Sequence, residues 1–363
     1  MLWLAATYNF DPPSTPNSRI FTVLVTAVLA YIYVMTYSLL GYSFRQLTPF
    51  KAAIASPVAR RFSSHYCGSE IFRRMASASF QKGSMPTSST AESTKVPGWL
   101  EVVLGDKSAA PTLYAWTPEN LGKPSRASSS PKECDHQNRI YIVGIGNLGR
   151  LYATSLASLP NAPPITLVLH KKQLLEVWAD NPAIEITRQG RIERFTNFDA
   201  EWWTDEKPSQ GPIREAANAD KISTLLVTTK APQALPAVDR FRRYLGNHTT
   251  VIFASNGICR LWEPWGKMYN SSRFQSENPS FLVSVTSNGL YSIGDFKSVH
   301  ASHANTAIGP VCLNSKRGSE AKHIIELLVS APHLQATAFA RSEVWELQIG
   351  KLVANSIINR MTA

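Results

Sequence analysis

Lys351, Asn355 and Asn359 stand four residues apart in the stretch KLVANSIINRMTA. On a helix that spacing puts all three on one face. An ammonium group placed there can stabilise and protonate an oxygen on which negative charge develops. The two amides can orient a polar molecule without adding charge. Far upstream, Gly144, Gly146 and Gly149 in VGIGNLGR form G-x-G-x-x-G. That pattern cradles a pyrophosphate when a strand precedes it and a helix follows.

Both flanks meet the requirement. Ile140–Val143 is a short apolar run with β-branched residues, and Leu151, Leu156 and Leu159 recur at helical spacing. Gly144 permits the tight turn, Gly146 lets the backbone approach a pyrophosphate, and Gly149 lets the helix pack on the strand. The cofactor loop is therefore expected to run through Gly144, Ile145, Gly146, Asn147, Leu148 and Gly149, with the helix N-terminus facing the phosphates. The next apolar strand, ITLVLHKK, ends in His170, Lys171 and Lys172. An enzyme that uses NAD usually carries an acid here to bind the ribose 2′-hydroxyl. Cations suit a 2′-phosphate, so NADP(H) is the predicted cofactor. STLLVTTK ends in Lys230, and VIFASNG ends in Asn256-Gly257. Ligands of open α/β sheets bind outside the carboxyl ends of the strands, so Lys230 and Asn256 are further candidates. Ile184–Phe198 predicts a hairpin around Gly190, and Phe281–Pro310 predicts antiparallel edge strands. Within the latter, a strand would place His300 and His303 on opposite faces, so they are not read as metal ligands. The four cysteines are far apart and show no metal-ligand spacing, so no metal site is expected.

The chain of 363 residues is long enough for two domains. Its formal net charge of +11 is uneven. Arg45, Lys51, Arg60, Arg61, Arg73 and Arg74 cluster against the single acid Glu70. Clustering of this kind points to a targeting segment or an anionic cofactor, not to nucleic acid. Ile20–Phe44 contains no charged residue, and about 20 apolar residues suffice to cross a hydrocarbon core. A membrane span, a signal-peptide core and a wrongly included upstream region are the competing readings of residues 20–44. Residues 45–90 are rich in Arg and Ser, the composition of a mitochondrial transit peptide. A mitochondrial location is thus expected, with the cytoplasm or a membrane anchor as alternatives. The resulting organisation is a tail over 1–44, a basic Ser-rich segment with linkers over 45–138, a nucleotide-binding domain over 139–332, and the start of a helical domain over 333–363. WLEVVLGDKSAAPTLYAWT, inside the second of these, reads as a short strand or helix of uncertain use.

Four ordered pieces, GIGNLG, LVTTKAPQ, FASNGI and KLVANSIIN, together resemble the ketopantoate reductase (2-dehydropantoate 2-reductase) family, and the spacing looks most like its fungal members. The resemblance runs from about Arg139 to Ala363. It implies a Rossmann-type parallel α/β sheet with helices, followed by the first helix or helices of an all-α domain. It implies NADPH-dependent reduction of ketopantoate to pantoate. The alternatives are a reductase of another 2-keto acid, or an inactive NADP-binding or membrane-anchored protein. By the same resemblance, Lys351 would donate the proton to the ketone oxygen. Asn355 and Asn359 would fix the substrate, and Lys230 and Asn256 would touch cofactor and substrate. Ser302 would lie on the cofactor. A homodimer remains open. The sequence departs from the family pattern at Arg360-Met361, where the family has Pro-Leu. It departs again in His300-Ala301-Ser302-His303-Ala304, where an H-x-G-x-G-like segment has lost both glycines. Family members continue for on the order of a hundred residues as a helical domain, so an incomplete substrate domain is expected here.

Overall fold

The computed structural model describes residues 96–123, 138–257, 259–275, 277–314 and 318–362, with side chains in the last helix described as far as Asn355. The apolar run 20–44 and the basic segment 45–90 lie outside these residues. Among the described residues no helix is long and apolar enough to cross a membrane.

The chain order is α1 (Gly98–Gly105), β1 (Tyr114–Trp116), β2 (Ile140–Val143), α2 (Asn147–Ala157), β3 (Ile165–Leu169), α3 (Lys172–Asp180), β4 (Ile184–Arg188), β5 (Arg191–Phe195) and β6 (Asp199–Thr204). There follow β7 (Thr224–Val227), α4 (Ala231–Arg240), β8 (Thr250–Phe253), α5 (Trp265–Arg273), β9 (Ser280–Thr286), β10 (Gly289–Gly294), β11 (Lys297–Ser302), β12 (Thr306–Cys312), α6 (Gly318–Ser330), β13 (Ala336–Ala338) and α7 (Arg341–Thr362).

Nine strands form one sheet in the order β1-β6-β3-β2-β7-β8-β9-β12-β13. The six from β6 to β9 are parallel. From β2 the chain winds outward through β3 and β6, then reverses through β7, β8 and β9. The reversal lies between β2 and β7, the switch point where such folds bind dinucleotides. β2, β3, β7 and β8 are buried along their whole length, as parallel strands covered on both faces must be. Strand alternation sorts their side chains into two cores. Tyr141, Val143, Leu225, Val227, Val251 and Phe253 face one side, while Ile140, Ile142, Leu226 and Ile252 face the other.

Three features differ from the sequence expectation. The segment of uncertain use holds both α1 and β1, and β1 edges the sheet antiparallel to β6. Phe281–Pro310 is not simply a set of antiparallel edge strands. β9 runs parallel to β8 inside the sheet, and only its far side carries the antiparallel β12. Its buried, uncharged sequence suits that interior place. β13 extends the sheet beyond residue 332. The hairpin around Gly190 forms as expected, with positive φ at both Gln189 and Gly190. Its strand β4 also pairs in parallel with β11, making a second sheet in the order β10-β11-β4-β5.

Candidate active site

The glycine loop fills the turn between β2 and α2, and its three glycines answer to three different constraints. Gly144 has φ +90, and a Cβ there would meet Thr229 Cγ2 at 2.7 Å. A Cβ on Gly149 would lie 2.5 Å from the Gly144 carbonyl oxygen, so helix and turn touch backbone to backbone. Gly146 instead faces open space, with nothing within 4 Å of a Cβ. Gly146 precedes the first turn of α2 without a side-chain cap. The first-turn amides of a helix have no acceptor within it. An open backbone before such amides is the cradle a pyrophosphate fits. The Ile145 side chain is in the core. Asn147 accepts a hydrogen bond from Ser298 Oγ at 2.8 Å. The side chains of Ile145 and Asn147 are therefore engaged within the protein, and a ligand would meet them through the backbone.

His170, Lys171, Lys172, Lys230 and Asn256 follow the carboxyl ends of parallel strands, on the same edge of the large sheet, whereas Ser302 belongs to the second sheet. His170 and Lys171 follow β3 and are exposed. Partial burial of the ring, then the Lys171 charge, lowers the His170 pKa. Lys172 departs from the expected trio: its Nζ lies 5.2 Å from the centre of the Trp116 ring. The indole face holds that cation in a groove lined also by Asn120, Lys123, Glu176 and Asp180. Lys230 follows β7 and Asn256 follows β8, both exposed. Ser302 closes β11 opposite Gly289, at the start of the strand after β9.

Lys351 reaches this edge from α7. Its Nζ donates to Ser287 Oγ at 2.8 Å, just beyond the carboxyl end of β9. Burial lowers the lysine's pKa, which makes the ammonium a readier proton donor. Asn355 is half-buried one turn further on. Asn359 lies in the same helix, its side chain outside the described residues.

The docking of α7 on the sheet involves residues outside the Lys–Asn stripe. Val344 is fully buried and packs where a Cβ on Gly309 would meet its Cγ1 at 2.8 Å. Gln348, 5% exposed, accepts from the Trp262 indole N–H at 2.7 Å and donates to the Gly257 carbonyl at 3.0 Å. Trp345 meets the Trp262 ring edge-on at 4.9 Å. Gln348 precedes Lys351 by three residues, so the same helical spacing that marked the Lys–Asn stripe marks it too. Ser287 and Asn288 carried a signal as well, since Ser-Asn-Gly occurs at the ends of both β8 and β9.

His300 and His303 do not point apart. β11 ends at Ser302, the chain turns, and the two rings lie 3.9 Å apart by centroid. His300 Nε2 bonds Asn288 Oδ1 at 2.9 Å. Burial lowers its pKa to about 4. Among the described residues no group of His, Cys, Asp and Glu could hold a metal ion.

The family's sequence model, described as Ketopantoate reductase PanE/ApbA, matches residues 140–312. The chain is 40% identical over 291 residues to "Ketoisovalerate reductase BEA2" of Gibberella intermedia, covering 74% of this chain and 75% of that protein. The chain belongs to the ketopantoate reductase family. Family members are NADP-dependent oxidoreductases acting on 2-keto acids, and the open cradle at Gly146 fits that cofactor. "Probable 2-dehydropantoate 2-reductase" of Schizosaccharomyces pombe is 29% identical over 234 residues, covering 62% of this chain and 64% of that protein. Among solved structures, "Probable 2-dehydropantoate 2-reductase panE" from Bacillus subtilis superposes with a TM-score of 0.42 at 19% identity. That match covers 62% of this chain and 65% of the other.

Proposed function

We propose that this protein uses NADPH to reduce a branched 2-keto acid to its 2-hydroxy acid, with ketoisovalerate preferred over ketopantoate. The observation that carries the reading is the half-buried Lys351 amine at the carboxyl end of β9, on the edge that also bears the glycine loop. The relative at 40% identity is named a ketoisovalerate reductase, and that at 29% a 2-dehydropantoate 2-reductase. This ordering supports the substrate preference.

NADPH, when bound, supplies the hydride to the keto carbon. The residues do the rest. Backbone amides at Gly146–Gly149 hold the pyrophosphate, and His170 and Lys171 face the 2′-phosphate. Lys351 donates a proton to the carbonyl oxygen as charge grows there, and Asn256 and Asn355 orient the carboxylate. The two keto acids differ by one hydroxymethyl group. A site that binds that hydroxyl rejects the analogue without it far better than an apolar site rejects the analogue that has it.

Steady-state NADPH oxidation with each keto acid tests the proposal. The expected result is turnover with both and a higher kcat/KM for ketoisovalerate. Lys351→Ala should lower kcat by roughly two to four orders of magnitude while the Kd for NADPH stays within about twofold. Bound NADPH with no turnover of either acid would overturn the reading. A higher kcat/KM for ketopantoate would overturn the preference alone.

A further inference from the structure

The Gln348 side chain bridges two candidate site elements. Its Oε1 takes the Trp262 indole N–H, and its Nε2 gives to the carbonyl of Gly257, the residue after Asn256. It lies one helical turn before Lys351 on the same side of α7. Both ends of a buried amide are thus committed, one to the loop that presents Asn256 and one to the tryptophan on which α7 rests. Trp262 is itself held from α7 on two further sides, by the edge of Trp345 and by the Arg341 guanidinium 5.7 Å from its centre. Positions 341, 345 and 348 repeat at helical spacing, so Trp262 meets one face of α7 along two turns.

We infer that Gln348, seated on Trp262, is a positioning residue that sets the Lys351 amine relative to the Asn256 loop. A buried amide has few alternatives to its partners, because leaving either of them unpaired costs free energy. Rotation or sliding of α7 would break both bonds at once. A hydrophobic residue at 348 would fill the space but would leave the helix free to shift, and a misplacement of about 1 Å at a reacting group costs on the order of a hundredfold in rate. The inference rests on the assignment of Lys351 as proton donor, and its test separates the two.

The variants are Gln348→Leu, which removes both bonds, and Trp262→Phe, which removes one donor and keeps a ring. Each is compared with the wild type in the presence of saturating NADPH. Each single variant should lower kcat at least tenfold, with KM for the keto acid and Kd for NADPH within about threefold, as placement of a proton donor requires. The double variant should be little worse than Gln348→Leu alone, because that change already removes the bond that Trp262→Phe removes. A second readout does not need turnover. Competitive labelling of amines with trace acetic anhydride across pH gives the titration midpoint of Lys351, which should move up toward that of an ordinary lysine in both variants. If both variants lose thermal stability while kcat and the Lys351 midpoint stay unchanged, Gln348 is structural only and the inference fails. If the wild type turns over neither keto acid, the proposed reaction fails, and the labelling midpoint alone decides the role of Gln348.

Discussion

At the scale of single residues, charge and burial separate side chains that look alike in the sequence. Lys171 and Lys172 are neighbours of the same type, yet only Lys172 has an aromatic face to sit on. Lys171→Glu should therefore weaken NADPH roughly tenfold with little effect on NADH, and Lys172→Glu should change the ratio of the two affinities much less. Fluorescence titration with both nucleotides checks this, and equal losses for NADPH and NADH at position 171 would refute the phosphate role. His300 makes a different point. Burial, with the charges of His303, Arg188 and His333 nearby, lowers its pKa to about 4, whereas a histidine in an unfolded chain titrates near 6.5. Between those values the unfolded chain binds the proton and the folded chain does not. Stability contributed by neutral His300 is therefore complete above about 6.5 and declines as pH falls toward about 4. His300→Gln keeps a donor for Asn288 and should flatten the dependence of the urea midpoint on pH over that window. Some slope should persist, because burial also lowers His333.

At the scale of elements, the site depends on how two pieces seat on the sheet. Arg150 of α2 is buried and donates to Ser292 Oγ, Gly294 O, Lys297 O and Ser298 Oγ, which ties the β10–β11 hairpin to the helix that begins at the glycine loop. On the other side α7 approaches β12 closely because Gly309 has no side chain. A methyl group there would press on Val344 and on the Phe339 carbonyl. Gly309→Ala should cost about 1–3 kcal/mol, as overpacking does. It should lower kcat more than it weakens NADPH, since it displaces the helix bearing Lys351 and leaves the glycine loop alone. Equal effects on NADPH binding and turnover would show that the two elements are not separable in this way.

At the scale of the whole unit, Val96–Ala363, one sheet edge collects the loops after β2, β3, β7, β8 and β9. A ligand spanning that edge binds the folded sheet and not the unfolded chain. NADPH at a hundred times its Kd should raise stability by about 2.7 kcal/mol, read as an upward shift of the thermal midpoint. The shift should vanish in Gly149→Ala at the same nucleotide concentration. A full shift in that variant would mean that the nucleotide binds somewhere other than the loop before α2.

Local chemistry was enough to locate the glycine loop, the basic end of β3, the strand ends at Lys230 and Asn256, and the helical stripe from Lys351. Each depends on spacing within one element or on a turn between two neighbours, and such spacing is written in the sequence itself. The tertiary structure alone decided the rest. It brought Gln348 to Trp262 across 86 positions, turned Lys172 onto Trp116, and inserted β9 beside β8. Those contacts join residues far apart in the chain, and their geometry follows from how helices and strands pack, which no local pattern encodes.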